Sequence, residues 1–161
     1  MKVYLGTDHA GFKLKESIKA FLQQEGHDVV DEGALLFDKT DDYPDFIAKA
    51  ARSVAANPGS FGIVFGKSGA GEAIVANKIK GIRAVLCFKP ENARLAREHN
   101  DANVLSLGEG FTQPKEAEEI VKTFLETPFS GEERHRRRIE KIKAIEEGKS
   151  WKSKFKNILR S

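Results

Sequence analysis

Short apolar segments alternate along the chain with longer segments in which apolar residues recur at helical spacing. The short segments are typical of buried strands, and the longer ones are typical of amphipathic helices. The predicted strands are residues 2–6, 28–31, 61–65, 82–88 and 104–107. The predicted helices are residues 11–25, 44–56, 72–78, 90–99, 114–127 and 131–147.

This alternation predicts one doubly wound, Rossmann-like α/β domain with a mostly parallel sheet of about five strands. Parallel strands need crossover connections, and the helices supply them on both faces of the sheet. In such sheets ligands bind beyond the carboxyl ends of the strands, where the strand order reverses. Candidate chemistry is therefore expected in residues 7–9 and 66–72 and in the loops near Phe88 and Gly108.

The composition agrees with a single globular domain. The chain has 161 residues, of which 40% are apolar and 32% are charged. Cys87 is the only cysteine in the sequence, so an intramolecular disulfide is impossible and a reducing compartment is favoured. The sequence shows neither a basic-then-apolar leader nor an apolar run of about 18 residues. We therefore expect a cytoplasmic protein with no membrane partner.

The net charge of +3 comes from the C-terminal residues. Residues 149–161 contain five basic residues and no acidic one, which leaves 22 basic against 24 acidic residues in residues 1–148. We expect a mildly acidic functional domain over 1–148, a basic amphipathic extension over 149–161, and no nucleic-acid partner. Apolar residues recur at helical spacing in the extension, which favours docking on protein over binding to an anionic surface.

The most informative motif is the glycine-rich turn at residues 66–72, with the sequence GKSGAGE. Between a strand and a helix, its backbone N–H groups can cradle an anion, although a plain tight turn is the structural alternative. The motif lacks the glycine spacing of a phosphate-binding P-loop and the third glycine of a dinucleotide fingerprint. Glu72 either complements the helix dipole or acts as a base beside an oxyanion site.

Two dipeptides allow both a structural and a functional interpretation. Asp8 and His9 follow the first predicted strand, where they either cap a helix or bind a ligand. His99 and Asn100 end a predicted helix, where a histidine is more often a partner of the helix dipole than a catalyst.

A basic cluster at residues 134–138 has the sequence RHRRR. Arg134 and Arg138 are one helical turn apart and share a face. Two guanidinium groups on one face suit a phosphate, which accepts paired hydrogen bonds from each. A solvated basic face paired with nearby glutamates is the more common arrangement for such a cluster.

Taken in order, these motifs resemble the ribose-5-phosphate isomerase B family, which is related to the galactose-6-phosphate isomerase subunits. The matching segments extend over nearly all of residues 1–147, and their order is more specific than any one of them. They are GTDHAGFxLK at 6–15, DYPD at 42–45, GKSGAGE at 66–72, ANK at 76–78, GIRA at 81–84, ARxHND at 96–101 and RHxxR at 134–138.

The resemblance implies an aldose–ketose isomerase that acts on a phosphorylated sugar with neither a metal nor a nucleotide. Proton transfer between C1 and C2 would pass through a cis-enediolate. Some family members use a cysteine at the end of the third strand as the base, and others use a glutamate six residues later. Because the cysteine position is Gly66 here, the resemblance assigns the base to Glu72, and Cys87 is expected in the core.

The resemblance also assigns the substrate contacts. The Ser68 side chain and the turn amides would hold the enediolate oxygens, while His99, with Asp8, would open the furanose ring. The amides belong to Lys67, Ser68, Gly69, Ala70 and Gly71. The remaining assignments are Asn100 for a sugar hydroxyl and His9, Arg134 and Arg138 for the phosphate.

One position departs from the family pattern. Where the family typically has a phosphate-binding arginine after the fifth strand, this chain has Gly110, and Lys67 and Arg136 are candidate replacements. The expected reaction interconverts ribose 5-phosphate and ribulose 5-phosphate. The alternatives are an isomerase of a six-carbon aldose 6-phosphate, such as galactose or allose 6-phosphate, and a non-catalytic paralogue that binds a sugar phosphate. The family also implies a homodimer or homotetramer in which His99 and Asn100 reach a neighbour's site.

Overall fold

The computed structural model describes residues 1–149, in which five strands alternate with six helices. The strands are β1 (Lys2–Thr7), β2 (Asp28–Asp31), β3 (Phe61–Gly66), β4 (Ala84–Leu86) and β5 (Val104–Gly108). The helices are α1 (Phe12–Gln24), α2 (Tyr43–Ala56), α3 (Ala70–Ala76), α4 (Pro90–Asn100), α5 (Pro114–Glu126) and α6 (Glu133–Glu146). The predicted extension at 149–161 lies outside the described residues, except for Lys149.

The strands form one sheet in the order β2-β1-β3-β5-β4, and every neighbouring pair is parallel. The predicted doubly wound, Rossmann-like domain is therefore confirmed. β4 is shorter than the predicted 82–88, and it begins at Ala84 because the N–H of Arg83 donates to the side chain of Asn103 at 2.8 Å instead of to a strand. The strand order reverses between β1 and β3, so a ligand is expected beyond the carboxyl ends of these two strands.

Alternate residues of each strand face opposite sides of the sheet and enter two separate cores. In β1, for example, Val3 and Leu5 lie in the larger core, which α1, α4 and α5 cover, whereas Tyr4 lies in the smaller core under α2 and α3. Fully burying one such aliphatic side chain stabilises the fold by about 1.5–3 kcal/mol. The two cores hold the strand ends, and hence the loops beyond them, in fixed positions.

Helix α6 differs from the other long helices because it covers neither face of the sheet. His135 is the buried residue of this helix, and its ring centroid lies 4.4 Å from that of His99 in α4. Farther along α6, Glu146 accepts a hydrogen bond from the N–H of Gly81 at 2.8 Å. Within residues 1–149, no helix is both long and apolar enough to cross a bilayer.

Candidate active site

The carboxyl ends of β1, β3 and β5 meet at one edge of the sheet, where the glycine-rich turn lies against the end of β5. The Lys67 carbonyl accepts a hydrogen bond from the N–H of Gly110 at 2.9 Å, and the Ser106 hydroxyl donates to the Gly69 carbonyl at 2.6 Å. These bonds hold the turn in place before any ligand arrives. We call this region, formed by residues 7–11, 66–72 and 108–110, the carboxyl-edge site.

Glu72 lies in the first turn of α3, and its carboxylate folds back against Gly66 at the end of β3. A Cβ on Gly66 would overlap this carboxylate, so a residue with a side chain there could not coexist with it. Glu72 is 5% exposed, and its Oε2 atom is buried with no hydrogen-bond partner in the part of the chain that the structure describes. Burial raises the pKa of Glu72, and the nearby Asp8 carboxylate raises it further. Such a carboxylate suits a general base near neutral pH.

Cys87 lies in the larger core, as the sequence predicts. It is fully buried, and burial raises the pKa of its thiol to about 12. A thiol that stays protonated near neutral pH is a poor base. Cys87 is therefore not placed to act as a base, whereas Glu72 lies in the carboxyl-edge site.

Strand β1 delivers Asp8 and His9 to the same edge. The Asp8 Oδ1 atom accepts the N–H of Ala10 at 2.9 Å and so caps a short 3-10 turn. His9 Nδ1 lies 2.6 Å from Asp41 Oδ1, which also accepts the His9 backbone N–H at 3.0 Å. This side-chain hydrogen bond raises the pKa of His9. Sequence reasoning missed Asp41, because it lies in the loop after β2, far from any motif assigned to the site.

Asp8, His9 and Asp41 also place three potential metal-ligand atoms within 4.8 Å of one another. The 2.6 Å separation of His9 Nδ1 and Asp41 Oδ1 is the length of a strong hydrogen bond. Two ligand atoms that flank a metal ion each lie at about 2 Å from it and are therefore farther apart than this. The geometry consequently assigns the pair to hydrogen bonding.

Two further residues border the turn. The Ser68 hydroxyl accepts the N–H of Ala70 at 3.2 Å, which holds this side chain within the turn. Tyr43, the first residue of α2, packs against Gly71 so closely that a Cβ there would lie 2.9 Å from its hydroxyl oxygen. No role was predicted for Tyr43, because Pro44 indicates only the start of a helix and not where that start lies relative to the turn.

The two candidate replacements for the missing arginine differ in their surroundings. A Cβ on Gly110 would lie 3.2 Å from Lys67 Cε, so the lysine side chain passes directly over this glycine. The Lys67 ammonium forms no hydrogen bond or ion pair within residues 1–149. Arg136, by contrast, donates from Nε to the Gly131 carbonyl at 2.8 Å and lies over the ring of Phe129. Lys67 is therefore the better placed of the two.

The second group of predicted residues lies at the opposite edge of the sheet. Helix α4 begins after the carboxyl end of β4 and ends just before the amino end of β5, so His99 and Asn100 lie at the amino edge. Consistent with this, the Asn100 carbonyl accepts a hydrogen bond from Arg83, the residue that precedes β4, at 2.9 Å. His99 is half-buried against His135, and Asn100 is exposed.

Arg134 and Arg138 accompany this group, because they flank His135 on α6. Both are exposed, and Arg134 donates from Nε to Glu132 at 2.7 Å. The five residues of β5, at about 3.3 Å each, separate the two edges by about 16 Å. One chain therefore does not bring the predicted base together with these arginines. We call this second group, formed by His99, Asn100, Arg134 and Arg138, the amino-edge cluster.

The carboxyl-edge site combines a buried carboxylate with backbone N–H groups at the ends of parallel strands. A base beside an oxyanion cradle can take a proton from a carbon next to a carbonyl while it stabilises the negative oxygen that results. This is the chemistry of aldose–ketose isomerases, and the chain is an enzyme of this class.

The particular family follows from sequence and structure comparisons. Residues 3–142 match the family model described as Ribose/Galactose Isomerase, and the chain belongs to this family. The ribose-5-phosphate isomerase B of Mycolicibacterium paratuberculosis is 50% identical over 140 residues, which are 87% of this chain and 88% of that protein. The Escherichia coli enzyme of the same name is 41% identical over 146 residues, which are 91% of this chain and 97% of that protein.

Solved structures agree with the sequence relatives. Ribose-5-phosphate isomerase B of Clostridium thermocellum superposes with a TM-score of 0.88 at 43% identity and covers 92% of this chain and 99% of its own. The enzyme of Mycoplasma genitalium, solved with bound ribulose-5-phosphate, has a TM-score of 0.87 at 40% identity and covers 91% of this chain and 96% of its own. The resemblance inferred from the sequence motifs is therefore confirmed.

Proposed function

We propose that this enzyme interconverts ribose 5-phosphate and ribulose 5-phosphate through a cis-enediolate. Its relatives at 41% and 50% identity are named for this activity, and a structural neighbour at 40% identity holds ribulose-5-phosphate. The observation that carries the proposal is the buried carboxylate of Glu72 beside the glycine-rich turn, whose Oε2 atom has no hydrogen-bond partner in the described chain. A module that only bound sugar phosphates would have no use for a buried base.

Glu72 acts as the base in this proposal. Its carboxylate takes the proton from C2 of the open-chain aldose, a C1–C2 double bond forms, and the carbonyl electron pair moves onto O1. The same carboxyl group then returns the proton to C1 while the O2 hydroxyl proton passes to O1 and the C2 carbonyl forms. N–H groups of the turn stabilise the negative oxygen, and one such preorganised donor contributes about 10²–10³-fold in rate.

The ring-opening step needs a second group beside the same site. Asp8 lies at the carboxyl edge, but its proposed partner His99 lies at the amino edge of the same chain. We therefore infer that a second copy of the chain brings its amino-edge cluster to this site, so that His99 opens the ring and Asn100 binds a hydroxyl. The functional unit is then a homodimer or a homotetramer. We expect it to be located in the cytoplasm.

The proposed phosphate contacts are likewise divided between the two copies of the chain. His9 approaches the phosphate from the carboxyl edge, while Arg134 and Arg138 approach from the neighbouring copy with paired guanidinium donors. Binding this remote dianion fixes the substrate so that C1 and C2 lie against the base, which lowers the entropic part of the barrier. Lys67 supplies a further cation above Gly110.

The direct test incubates the purified protein with ribose 5-phosphate, allose 6-phosphate and galactose 6-phosphate and follows ketose formation. The expected result is the highest kcat/KM for ribose 5-phosphate. A clear preference for a six-carbon substrate would assign the alternative isomerase activity. Absence of turnover with all three, together with retained binding of ribose 5-phosphate, would identify the non-catalytic paralogue instead.

Hybrid assemblies test the shared site. Glu72→Gln and His99→Ala are prepared as separately tagged chains, and each is expected to have little activity alone. In a co-expressed and doubly purified hybrid, one site combines the intact Glu72 of one copy with the intact His99 of the other. Activity well above that of either parent is expected, and a hybrid as inactive as its parents would contradict a shared site.

A further inference from the structure

The loop after β2 presents one carboxylate to the proposed phosphate-binding histidine. The Asp41 Oδ1 atom lies 2.6 Å from His9 Nδ1 and accepts the His9 backbone N–H at 3.0 Å. The Asp41 side chain is 10% exposed, and its Oδ2 atom is buried with no hydrogen-bond partner in the described chain. A carboxylate removed from water to this extent makes a strong charge-assisted hydrogen bond to the imidazole.

Contacts with α1 hold the beginning of this loop in place. The Lys15 ammonium is fully buried, donates to Asp31 Oδ2 at 2.5 Å and to the Ala34 carbonyl at 2.9 Å, and so holds the chain as it leaves β2. Farther along, the Phe37 ring packs edge-on against Phe12, with a centroid separation of 6.0 Å. Both contacts precede the turn that leads to Asp41, so the chain that enters this turn is held against α1.

Two carboxylates lie within 4.0 Å of His9 Nδ1, and a third interacts with the charge of His9. Asp41 bonds to Nδ1, Asp8 Oδ2 lies 4.0 Å from the same nitrogen, and the pKa of Asp38 in the same loop is lowered in part by the charge of His9. The remaining close neighbour from this loop is the ring of Phe37, whose centroid lies 6.3 Å away and which carries no charge. The hydrogen bond to Asp41 is the largest of the effects that raise the pKa of His9.

We propose that Asp41 is a positioning residue, which holds His9 as an imidazolium with Nδ1–H directed at its carboxylate and leaves Nε2–H to donate to the substrate phosphate. This assignment rests on the proposed function, since it is the phosphate that Nε2–H would bind. When His9 loses a proton, the bond to Asp41 retains the proton on Nδ1, so the proton that leaves is that of Nε2. Phosphate binding is therefore expected to weaken as pH rises through the raised pKa of His9.

Asp41→Asn is the matched variant, because the amide oxygen can still accept from Nδ1–H while the charge is lost. The expected result is a lower His9 pKa and, at a pH between the two His9 values, about a tenfold higher KM for ribose 5-phosphate. The value of kcat is expected to change less than KM. Comparing variant and wild type with the same substrate removes the phosphate's own titration from the difference. Asp38→Asn, in the same loop but without a bond to His9, is the control and should shift the pKa of His9 less.

Nitrogen-15 NMR of the His9 ring tests the proposal without an activity measurement, because it reports the tautomer and the pKa of the imidazole. In the wild-type protein above its pKa, His9 is expected as the Nδ1–H tautomer, with a pKa above that of His27, whose burial lowers its pKa. An Nε2–H tautomer, or a His9 pKa that Asp41→Asn leaves unchanged, would overturn the role of Asp41. A fall in kcat with KM unchanged would overturn it as well. Absence of isomerase activity in the wild type, with the Nδ1–H tautomer present, would instead contradict the proposed function alone.

Discussion

The two edges of the sheet are built in different ways. At the carboxyl edge, Asp8 and Glu72 are buried, and the turn before α3 is bonded to the end of β5. At the amino edge, Arg134 and Arg138 are exposed on a helix that contacts the rest of the chain through His135 near its start and Glu146 at its end. The carboxyl edge is organised by contacts within a single chain, whereas the amino edge presents charged side chains on the molecular surface.

This difference separates two tasks of one reaction. Moving a proton between carbons needs a carboxylate whose pKa is raised by burial, and burial requires the close packing that one fold provides. Binding a phosphate needs several cations, and the two arginines proposed for it lie on an exposed helix at the other edge. In the proposed assembly, another copy would supply these arginines, so that each chain folds with its own arginines in water. Variants at each edge test this division.

Loss of the base should have the largest effect. Glu72→Gln keeps the size of the side chain and removes its proton-accepting charge, so kcat is expected to fall by about 10²–10⁴-fold. Steady-state kinetics with ribose 5-phosphate measure this. Glu109→Gln is the matched control at the same edge, because this side chain accepts the N–H of Leu14 at 3.0 Å and an amide can do the same. If both variants lost activity equally, Glu72 would have no special role.

The space beside the base should matter almost as much. Gly66→Ala places a Cβ where the Glu72 carboxylate lies, so the carboxylate must move. A misplacement of this kind is expected to lower kcat by about 10²-fold. Because the effect acts through Glu72, the same substitution in a Glu72→Gln background should cost little more. Additive losses, or a large fall in the thermal unfolding midpoint, would show that Gly66 matters for another reason.

The pH profile gives a third test of the carboxyl edge. Glu72 must be ionised to accept a proton, and burial raises its pKa above the ordinary glutamate value. The kcat/KM value should therefore rise with pH through this elevated pKa and change by about tenfold per pH unit on the acid side. In Gly66→Ala, where the carboxylate is pushed towards water, this acid limb should move to lower pH. An acid limb at the same pH in both proteins would contradict burial as its cause.

Much of the carboxyl edge could be predicted from the sequence, because its residues lie close together along the chain. A strand that ends in glycine, a glycine-rich turn and a helix with an early acid are together enough to predict that Glu72 lies beside the turn. Asp8 was predicted for the same reason, as a residue directly after a strand. Local order of this kind follows from the strand-to-helix connection itself.

Contacts between distant segments could not be predicted in the same way. Asp41 and Tyr43 reach the site through the loop after β2 and the start of α2, and nothing in their local sequence fixes how that loop folds. A lysine on a helix ordinarily lies on a solvated face, yet Lys15 is fully buried and holds the loop through Asp31. Lysine is almost never fully buried unless it is paired with an opposite charge. The pairing with Asp31 arises from tertiary packing, which the local sequence pattern does not show.

The amino-edge cluster supplies the next largest effect. Arg134→Ala and Arg138→Ala should each raise the KM for ribose 5-phosphate by about tenfold, the equivalent of one charge-assisted hydrogen bond, with smaller changes in kcat. Arg137→Ala is the control, because Arg137 is exposed on the same helix but was assigned no contact with the substrate. Equal effects of all three substitutions would indicate a general electrostatic attraction rather than paired binding of the phosphate.

Lys67 should show the smallest effect, and it tests whether the carboxyl edge also contributes to phosphate binding. Its side chain passes over Gly110 but its ammonium is exposed, so Lys67→Ala is expected to raise KM by only about threefold to tenfold. Lys67→Arg keeps the charge and should stay near the wild-type KM, while Lys122→Ala in α5 controls for net charge. An unchanged KM in Lys67→Ala would leave all phosphate-binding cations except His9 at the amino edge.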